Sequence, residues 1–197
     1  MTTQTLRLAL WGLVALAAAG PLWLWLGRAP TQAELLGSLG HGDYRLATTA
    51  GEPFTEATLQ GAPSAVFFGF THCPEVCPTT LGDIGAWQEA LAAEGEGPLR
   101  VFFVTVDPER DTAETLRDYV SWVPDVTGVT GSREEAEAAI RAFRVYAQKV
   151  PLDDGDYTMD HSAMVLLFDK KGRFFAPIAY QEDLDRAMET IRRLMAS

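Results

Sequence analysis

Cysteine is nearly absent from this chain: Cys73 and Cys77 are the two in 197 residues. Two thiols cannot build a disulfide scaffold or a four-thiolate zinc site, but they suffice for one bridge, one redox pair or part of one metal site. Histidine is almost as scarce, with His41, His72 and His161 alone, so candidate imidazole ligands are few. Positive charge is also short: 16 Lys and Arg face 27 Asp and Glu, a formal −11. No acid precedes Glu34, and only Arg7 and Arg28 carry charge before it, which leaves a formal −13 on the remainder. A body this acidic repels phosphate backbones, and nucleic-acid binding is not expected. Internal repeats and low-complexity tracts are lacking too. With 47% hydrophobic and 22% charged residues, disorder, collagen and a multi-span membrane protein are excluded for the chain as a whole.

What the N-terminus does have is Leu8–Leu26, 19 residues without a charge. As a helix such a run spans about 28 Å, close to the hydrocarbon thickness of a bilayer. Trp23 and Trp25 near its end suit an interfacial aromatic belt. Ala17-Ala18-Ala19 could serve a signal peptidase, but the apolar run continues past it, which favours a retained anchor over a cleaved leader. Too little chain precedes Arg7 for an amphipathic organelle presequence, so a bacterial cell is expected. Residues 1–27 are read as a membrane anchor, 28–41 as a polar linker and 42–197 as the soluble domain. The roughly 165 residues after the anchor are enough for one well-buried core.

Within that domain, residues 44–48 and Pro53-Phe54 flank Ala50-Gly51-Glu52 as a short hairpin. Residues 64–70 and 99–106 are continuous apolar runs, the pattern of strands buried on both faces. Between them Leu81, Ile84, Trp87 and Leu91 recur at helical spacing, so the unit is strand, helix, strand with a right-handed crossover. Asp111 and Glu114 are expected to cap a helix running to Trp122 with Leu116, Tyr119 and Val120 inward, and residues 126–129 are a short strand. Ser132 and Glu135 open a helix to about Arg144 with Ala136, Ile140 and Phe143 inward. Residues 164–168 and 174–178 are strands joined by the turn Asp169-Lys-Lys-Gly172, and residues 181–195 close with a helix whose apolar face is Leu184, Met188, Ile191 and Leu194. Strand-helix-strand, then hairpin and helix, is the order of a thioredoxin-like α/β fold. Here it carries an N-terminal hairpin, an inserted strand-helix region over 111–144, and one transmembrane helix ahead of it.

Phe70-Thr-His-Cys73-Pro-Glu-Val-Cys77-Pro78 follows the first central strand directly, at the sheet edge where α/β proteins place their sites. Residues before proline avoid αR, so Cys77 is expected to be extended at the helix N-cap with Pro78 as the first helical residue, its thiolate favoured by the helix end. The spacing is compatible with a bridge or with sharing one metal ion. A bridge serving stability alone would close only a short loop and remove little chain entropy, which disfavours that use.

Phe68-Gly-Phe-Thr-His-Cys-Pro-Glu-Val-Cys-Pro78 closely resembles the signature of the Sco (SenC) family of copper-binding cytochrome oxidase assembly proteins. Val106-Asp-Pro-Glu-Arg-Asp-Thr112 and Asp160-His161-Ser162 resemble the same family, in family order. The resemblance implies a membrane-tethered, thioredoxin-like metallochaperone outside the cytoplasm rather than an enzyme. It would be a single-pass protein of a bacterial inner membrane, with its domain in the periplasm. It implies one copper, as Cu(I) and with room for Cu(II), held by Cys73, Cys77 and His161. The implied partner is cytochrome c oxidase subunit II, or another copper-site protein, which would receive copper or have its thiols kept reduced.

The donor chemistry agrees, since two thiolates and an imidazole make a soft three-donor set that suits Cu(I), whereas structural zinc wants four protein ligands. His161 stands 84 residues from Cys77, and the fold is what would join them: in thioredoxin-like order the loop before the hairpin strand faces the cysteine loop. Related reductases resemble one another in a proline there, and this chain has none between Pro151 and Pro177. His72 is a second candidate ligand, although adjacent side chains on an extended segment point to opposite faces. Met159 and Met164 are soft thioethers expected to fill core, and His41 is expected to be solvated. Asp107 is read either as a turn-forming cap or as a tuner of the site, and Asp160 either as an orienter of His161 or as a local cap. Asp153, Asp154 and Asp156 are expected in a long loop from Lys149 to Asp160 bordering the site, where they could meet a basic patch on a partner. Two other functions stay open: a thiol-disulfide oxidoreductase using Cys73 and Cys77 as its redox pair, and a thiol peroxidase. The last is the weakest, because Thr71 stands only two residues before Cys73.

Overall fold

An apolar run such as residues 64–70 must be covered on both faces, and in the computed structural model it is. The structure describes residues 3–26, 31–153 and 155–197, with only some side chains in the first helix. The chain divides into a short N-terminal unit ending at Leu35 and a body from Leu36 to Ser197. In the first, α1 spans Thr3–Leu26. Among the described residues no helix is long and apolar enough to cross a membrane. Much of the run Leu8–Leu26 has side chains outside the described residues, so the anchor reading rests on the sequence. Thr31 and Glu34 exchange reciprocal hydrogen bonds at the start of α2 (Gln32–Gly37), a capping box.

The body is built on a seven-stranded sheet. β1 (Leu46–Thr48) and β2 (Pro53–Phe54) form the expected N-terminal hairpin, and β3 (Ser64–Gly69) is buried at every residue. α3 (Val76–Ala93) buries Leu81, Ile84, Trp87 and Leu91 and crosses to β4 (Arg100–Thr105), which lies parallel to β3. α4 (Ala113–Val120) leads to β5 (Val126–Thr130), parallel to β4, and α5 (Arg133–Phe143) follows. β8 (Val165–Phe168) runs antiparallel to β3, and β9 (Phe174–Ile178) antiparallel to β8. α6 (Leu184–Met195) packs beside α3. The sheet order is β2-β1-β5-β4-β3-β8-β9, the thioredoxin-like arrangement with the inserted β5 bridging to the N-terminal hairpin. Phe54, Phe67, Phe68, Phe70, Phe103, Phe143 and Phe168 are all sealed in the core. Truncating any one of them to Ala would cost about 3–5 kcal/mol.

Four expectations are corrected. Residues 149–160 are not a long loop: β6 (Ala147–Pro151) and β7 (Tyr157–His161) pair as an antiparallel hairpin outside the main sheet. Asp153 and Asp156 stand exposed at its turn, and Asp154 lies outside the described residues. The cap of α4 is Thr112, whose side chain accepts from the Thr115 N–H, and the helix stops at Val120 with Trp122 exposed. On α6, Leu184 is exposed and Ala187 takes the buried place. Met164 is also exposed rather than core, because β8 begins one residue after it.

Asp111, freed from capping, is completely buried. Its carboxylate accepts from the Thr71 N–H (3.1 Å), the Thr71 hydroxyl (2.6 Å) and the Thr105 hydroxyl (2.6 Å), so it ties the cysteine loop to the end of β4. Burial pushes its carboxyl above the usual range, against the pull of the Thr105 and Thr71 hydrogen bonds. Asp111→Ala would strand three donors and is expected to cost about 3 kcal/mol, whereas Asp111→Asn, which keeps an acceptor oxygen, should cost about 1 kcal/mol. Urea unfolding of the reduced protein measures both, and equal losses would contradict the acceptor role.

Candidate metal centre

The site grows out of the end of β3. Gly69 is required there: a Cβ on it would lie 2.7 Å from the Cys77 sulfur and 2.8 Å from the Phe103 ring. Phe70 follows, and its carbonyl accepts the Cys73 N–H (3.2 Å) to close a tight turn. α3 then starts at Val76 behind Glu75, so Cys77 is helical and Pro78 is the third helical residue. This overturns the expected N-cap at Cys77. A proline in the first turn loses only an N–H that has no partner within the helix, so the helix begins two residues early despite the bias against αR before proline.

The shift moves the electrostatic advantage from one sulfur to the other. The Cys77 N–H, a free donor of the helix start, donates to the Cys73 sulfur at 3.3 Å. The hydrogen bond from the Cys77 thiol, helped by the His161 side chain and by backbone N–H groups of Cys77 and Glu75, pulls the Cys73 thiol down to about 4 against its burial. Cys77 moves the other way, because its proton is shared with Cys73 and it is buried. Cys73 is 9% exposed and Cys77 fully enclosed, so the thiolate is also the sulfur nearer solvent. Both thiols are free.

His161, the last residue of β7, completes the group. Its Nε2 stands 3.5 Å from the Cys77 sulfur, and the three donor atoms all lie within 4.8 Å of one another. Its Nδ1 lies 2.9 Å from the Ser162 carbonyl, which can only accept. Nδ1 therefore carries a proton, and Nε2 is the ring nitrogen that faces the sulfurs and can serve as a ligand. The Phe70 ring meets the imidazole edge-on at 5.7 Å and Phe67 backs it at 6.3 Å.

The remaining candidates sort themselves around this group. His72 is exposed, its Nδ1 3.1 Å from the Thr71 hydroxyl, and it stays outside the cluster of three. Met159 is half-buried against the core. His41 is paired with Glu56 at 3.4 Å. Asp160 is exposed; it is the Ser162 carbonyl that orients His161. Asp107 is a hub, buried and accepting from the Arg110 Nε and the Tyr157 hydroxyl. The roles of Gly69, Arg110 and Asp111 were not foreseen, although all three stand in the motifs that carry the family resemblance, and Tyr157 was not singled out at all.

A family model described as SCO1/SenC matches residues 32–196 of this chain. The mouse (Mus musculus) SCO2 homolog, a mitochondrial protein, is 35% identical over 198 residues, covering 94% of this chain and 78% of its own. The solved structure of Bradyrhizobium japonicum ScoI with copper bound is similar with a TM-score of 0.71 and 39% identity, over 79% of this chain and 99% of that one. Yeast Sco1 with copper bound is similar with a TM-score of 0.74 and 33% identity, over 81% and 90%.

The two sulfurs should be separable by pH. A thiol held down to about 4 is ionised throughout the range above that value and is lost only as pH falls through it. One thiol per reduced chain is expected to react with iodoacetamide at a rate nearly flat from about pH 8 to 5, declining near 4, and the other to lag at every pH. Mass spectrometry of the alkylated peptide should assign the fast thiol to Cys73. Equal rates at both cysteines would contradict the asymmetry.

Proposed function

This chain belongs to the SCO1/SenC family, and from that premise we propose that it is a membrane-anchored copper chaperone for the dinuclear copper site of cytochrome c oxidase subunit II. Residues 1–27 anchor it to a bacterial inner membrane, residues 28–41 are the linker, and residues 42–197 work in the periplasm. Cys73, Cys77 and His161 are the copper ligands. The uncharged run Leu8–Leu26 supports the anchor. Free thiols that must be kept reduced fit a compartment where disulfides otherwise form.

The observation that carries this reading is the convergence of two sulfurs and the His161 Nε2 on one point, from segments 84 residues apart. Among the described residues no fourth such donor joins them. Soft, three-coordinate donors suit Cu(I) and leave structural zinc one ligand short. Loading requires the Cys77 proton to leave, so uptake releases protons, and the ion is cargo that a partner's ligands can take over through the more open Cys73 side.

The asymmetry of the thiols favours a second reading, a thiol-disulfide oxidoreductase acting on the partner's copper-site cysteines. The Cys73 thiolate would attack a partner disulfide, forming one S–S bond as the partner's breaks and one partner thiolate leaves. Cys77, giving up its proton, would then attack the Cys73 sulfur and release the second partner thiolate. The partner gains two electrons and this pair loses two.

Anaerobic Cu(I) titration of the reduced full chain in mild detergent separates the two. A single Cu(I) is expected to bind, oxidation of the pair should abolish binding, and His161→Ala should weaken it by on the order of 100-fold while both thiols still titrate. If His161→Ala holds Cu(I) as tightly as the parent, the chaperone reading fails and the oxidoreductase reading gains.

A further inference from the structure

The two sulfurs sit on the central sheet and its helix, but the imidazole arrives on an arm. Among the described residues β6 and β7 pair with one another and with no strand of the main sheet. Under the arm lies a cavity of about 350 Å³, lined by Val106, Pro108, Ile140, Ala147 and Met159 among others. Ala147 and Met159 rest against the core beside this cavity, and the remaining hold on the arm is polar. Alternation along β7 puts Tyr157, Met159 and His161 on one face, the face turned to the body.

At the far end of that face Tyr157 is held from several sides. Its ring lies between the Arg110 guanidinium, 3.7 Å from the centroid, and the Lys149 ammonium at 3.6 Å. Its hydroxyl donates to Asp107 at 2.9 Å, and its carbonyl accepts from Arg110 at 3.0 Å. Asp107 also accepts from the Arg110 Nε, and Lys149 donates to Glu109 at 2.9 Å. Residues 107–110 directly follow β4, and the Asp107 carbonyl accepts the N–H groups of both Arg110 and Asp111. Asp111 in turn fixes the cysteine loop. One short loop therefore grips the cysteine segment with Asp111 and the histidine arm with Asp107 and Arg110.

We propose that Tyr157 is a positioning residue for copper binding: clamped by Arg110 and Lys149 and bonded to Asp107, it holds β7 down so that His161 meets Cys73 and Cys77. The inference rests on the copper reading above and adds a latch to it. With the latch closed the ion has three ligands; with it open the arm lifts, His161 leaves, and two sulfurs remain to hold the cargo. The latch thus governs how quickly the ion can be given up, through a residue that never touches it.

The test is a double-mutant cycle on the reduced full chain in mild detergent, with Cu(I) affinity read by competition against a chromophoric chelator. Tyr157→Ala is expected to weaken binding about tenfold in the parent and to have no effect in a His161→Ala background. Tyr157→Phe keeps the ring between its two cations and should lose about threefold. Hydrogen exchange over residues 147–161 should quicken in Tyr157→Ala, while β3 and β4 stay as protected as in the parent. Equal losses in both backgrounds would place the effect on the thiols or the fold and overturn the proposal. So would unchanged affinity in the parent, or unchanged exchange over the arm. A parent that takes up no Cu(I) sinks the copper reading itself, and the exchange comparison alone then decides whether Tyr157 holds the arm.

Discussion

The site depends on a hydrogen bond that touches neither sulfur, from the His161 Nδ1 to the Ser162 carbonyl. A carbonyl cannot donate, so this contact places a proton on Nδ1 and leaves Nε2 facing Cys77 as the nitrogen that can serve as a ligand. Ser162 is itself fixed, its N–H donating to the Tyr146 carbonyl (3.0 Å) and its hydroxyl accepting the Tyr146 N–H (2.9 Å). The orientation of the imidazole is thus inherited from the backbone at the base of the hairpin. Turned over, the ring would face the sulfurs with an N–H, which repels a cation and can do no more than hydrogen-bond a thiolate.

The cysteine pair is made unequal by the same economy of means. Starting α3 at Val76 gives the sulfur of Cys73 a backbone donor and pushes the sulfur of Cys77 against Gly69 at the end of β3. One cysteine becomes a thiolate near solvent and the other an enclosed thiol. Both readings of the chemistry use this difference. A metal exchanged between proteins needs one ligand that an incoming donor can reach, and thiol exchange needs one attacking and one following sulfur.

Where hydrophobic pattern or turn chemistry alone decides structure, the sequence was legible. The runs at β3 and β4, the helical spacing of Leu81, Ile84, Trp87 and Leu91, the Ser132 cap and the turn at 169–172 all stand as read. The motif at Cys73 and Cys77 was legible as chemistry but not as geometry, because a rule about residues before proline was outweighed by the freedom of a helix's first turn. The hairpin that delivers His161 was missed for a physical reason. Tyr157-Thr-Met-Asp-His161 alternates, with Tyr157, Met159 and His161 inward, but the run is only five residues long and directly follows Asp153-Asp-Gly-Asp156, a composition that reads as loop. Asp111 was misread because an acid next to Thr112 looks like a cap in one dimension. Its burial follows from Thr71 and Thr105, which only the folded sheet brings beside it.

The net charge sharpens what these contacts mean. In a domain with a formal −12, most cations near the site are already committed: Arg110 to Asp107, Lys149 and Arg133 to Glu109. They join the loop after β4 to its neighbours rather than dressing the surface. Asp107 takes two of its hydrogen bonds while almost fully buried, where losing a partner costs far more than at an exposed pair. The cysteine loop and the histidine arm thus share one support, the five residues from Asp107 to Asp111, although neither contributes a strand to the other. A site divided in this way combines a rigid pair of sulfurs with a third ligand whose place is set by polar contacts at a distance. Such a division suits the proposed chaperone role, in which the interactions that hold the ligand in place are separate from those that hold the ion.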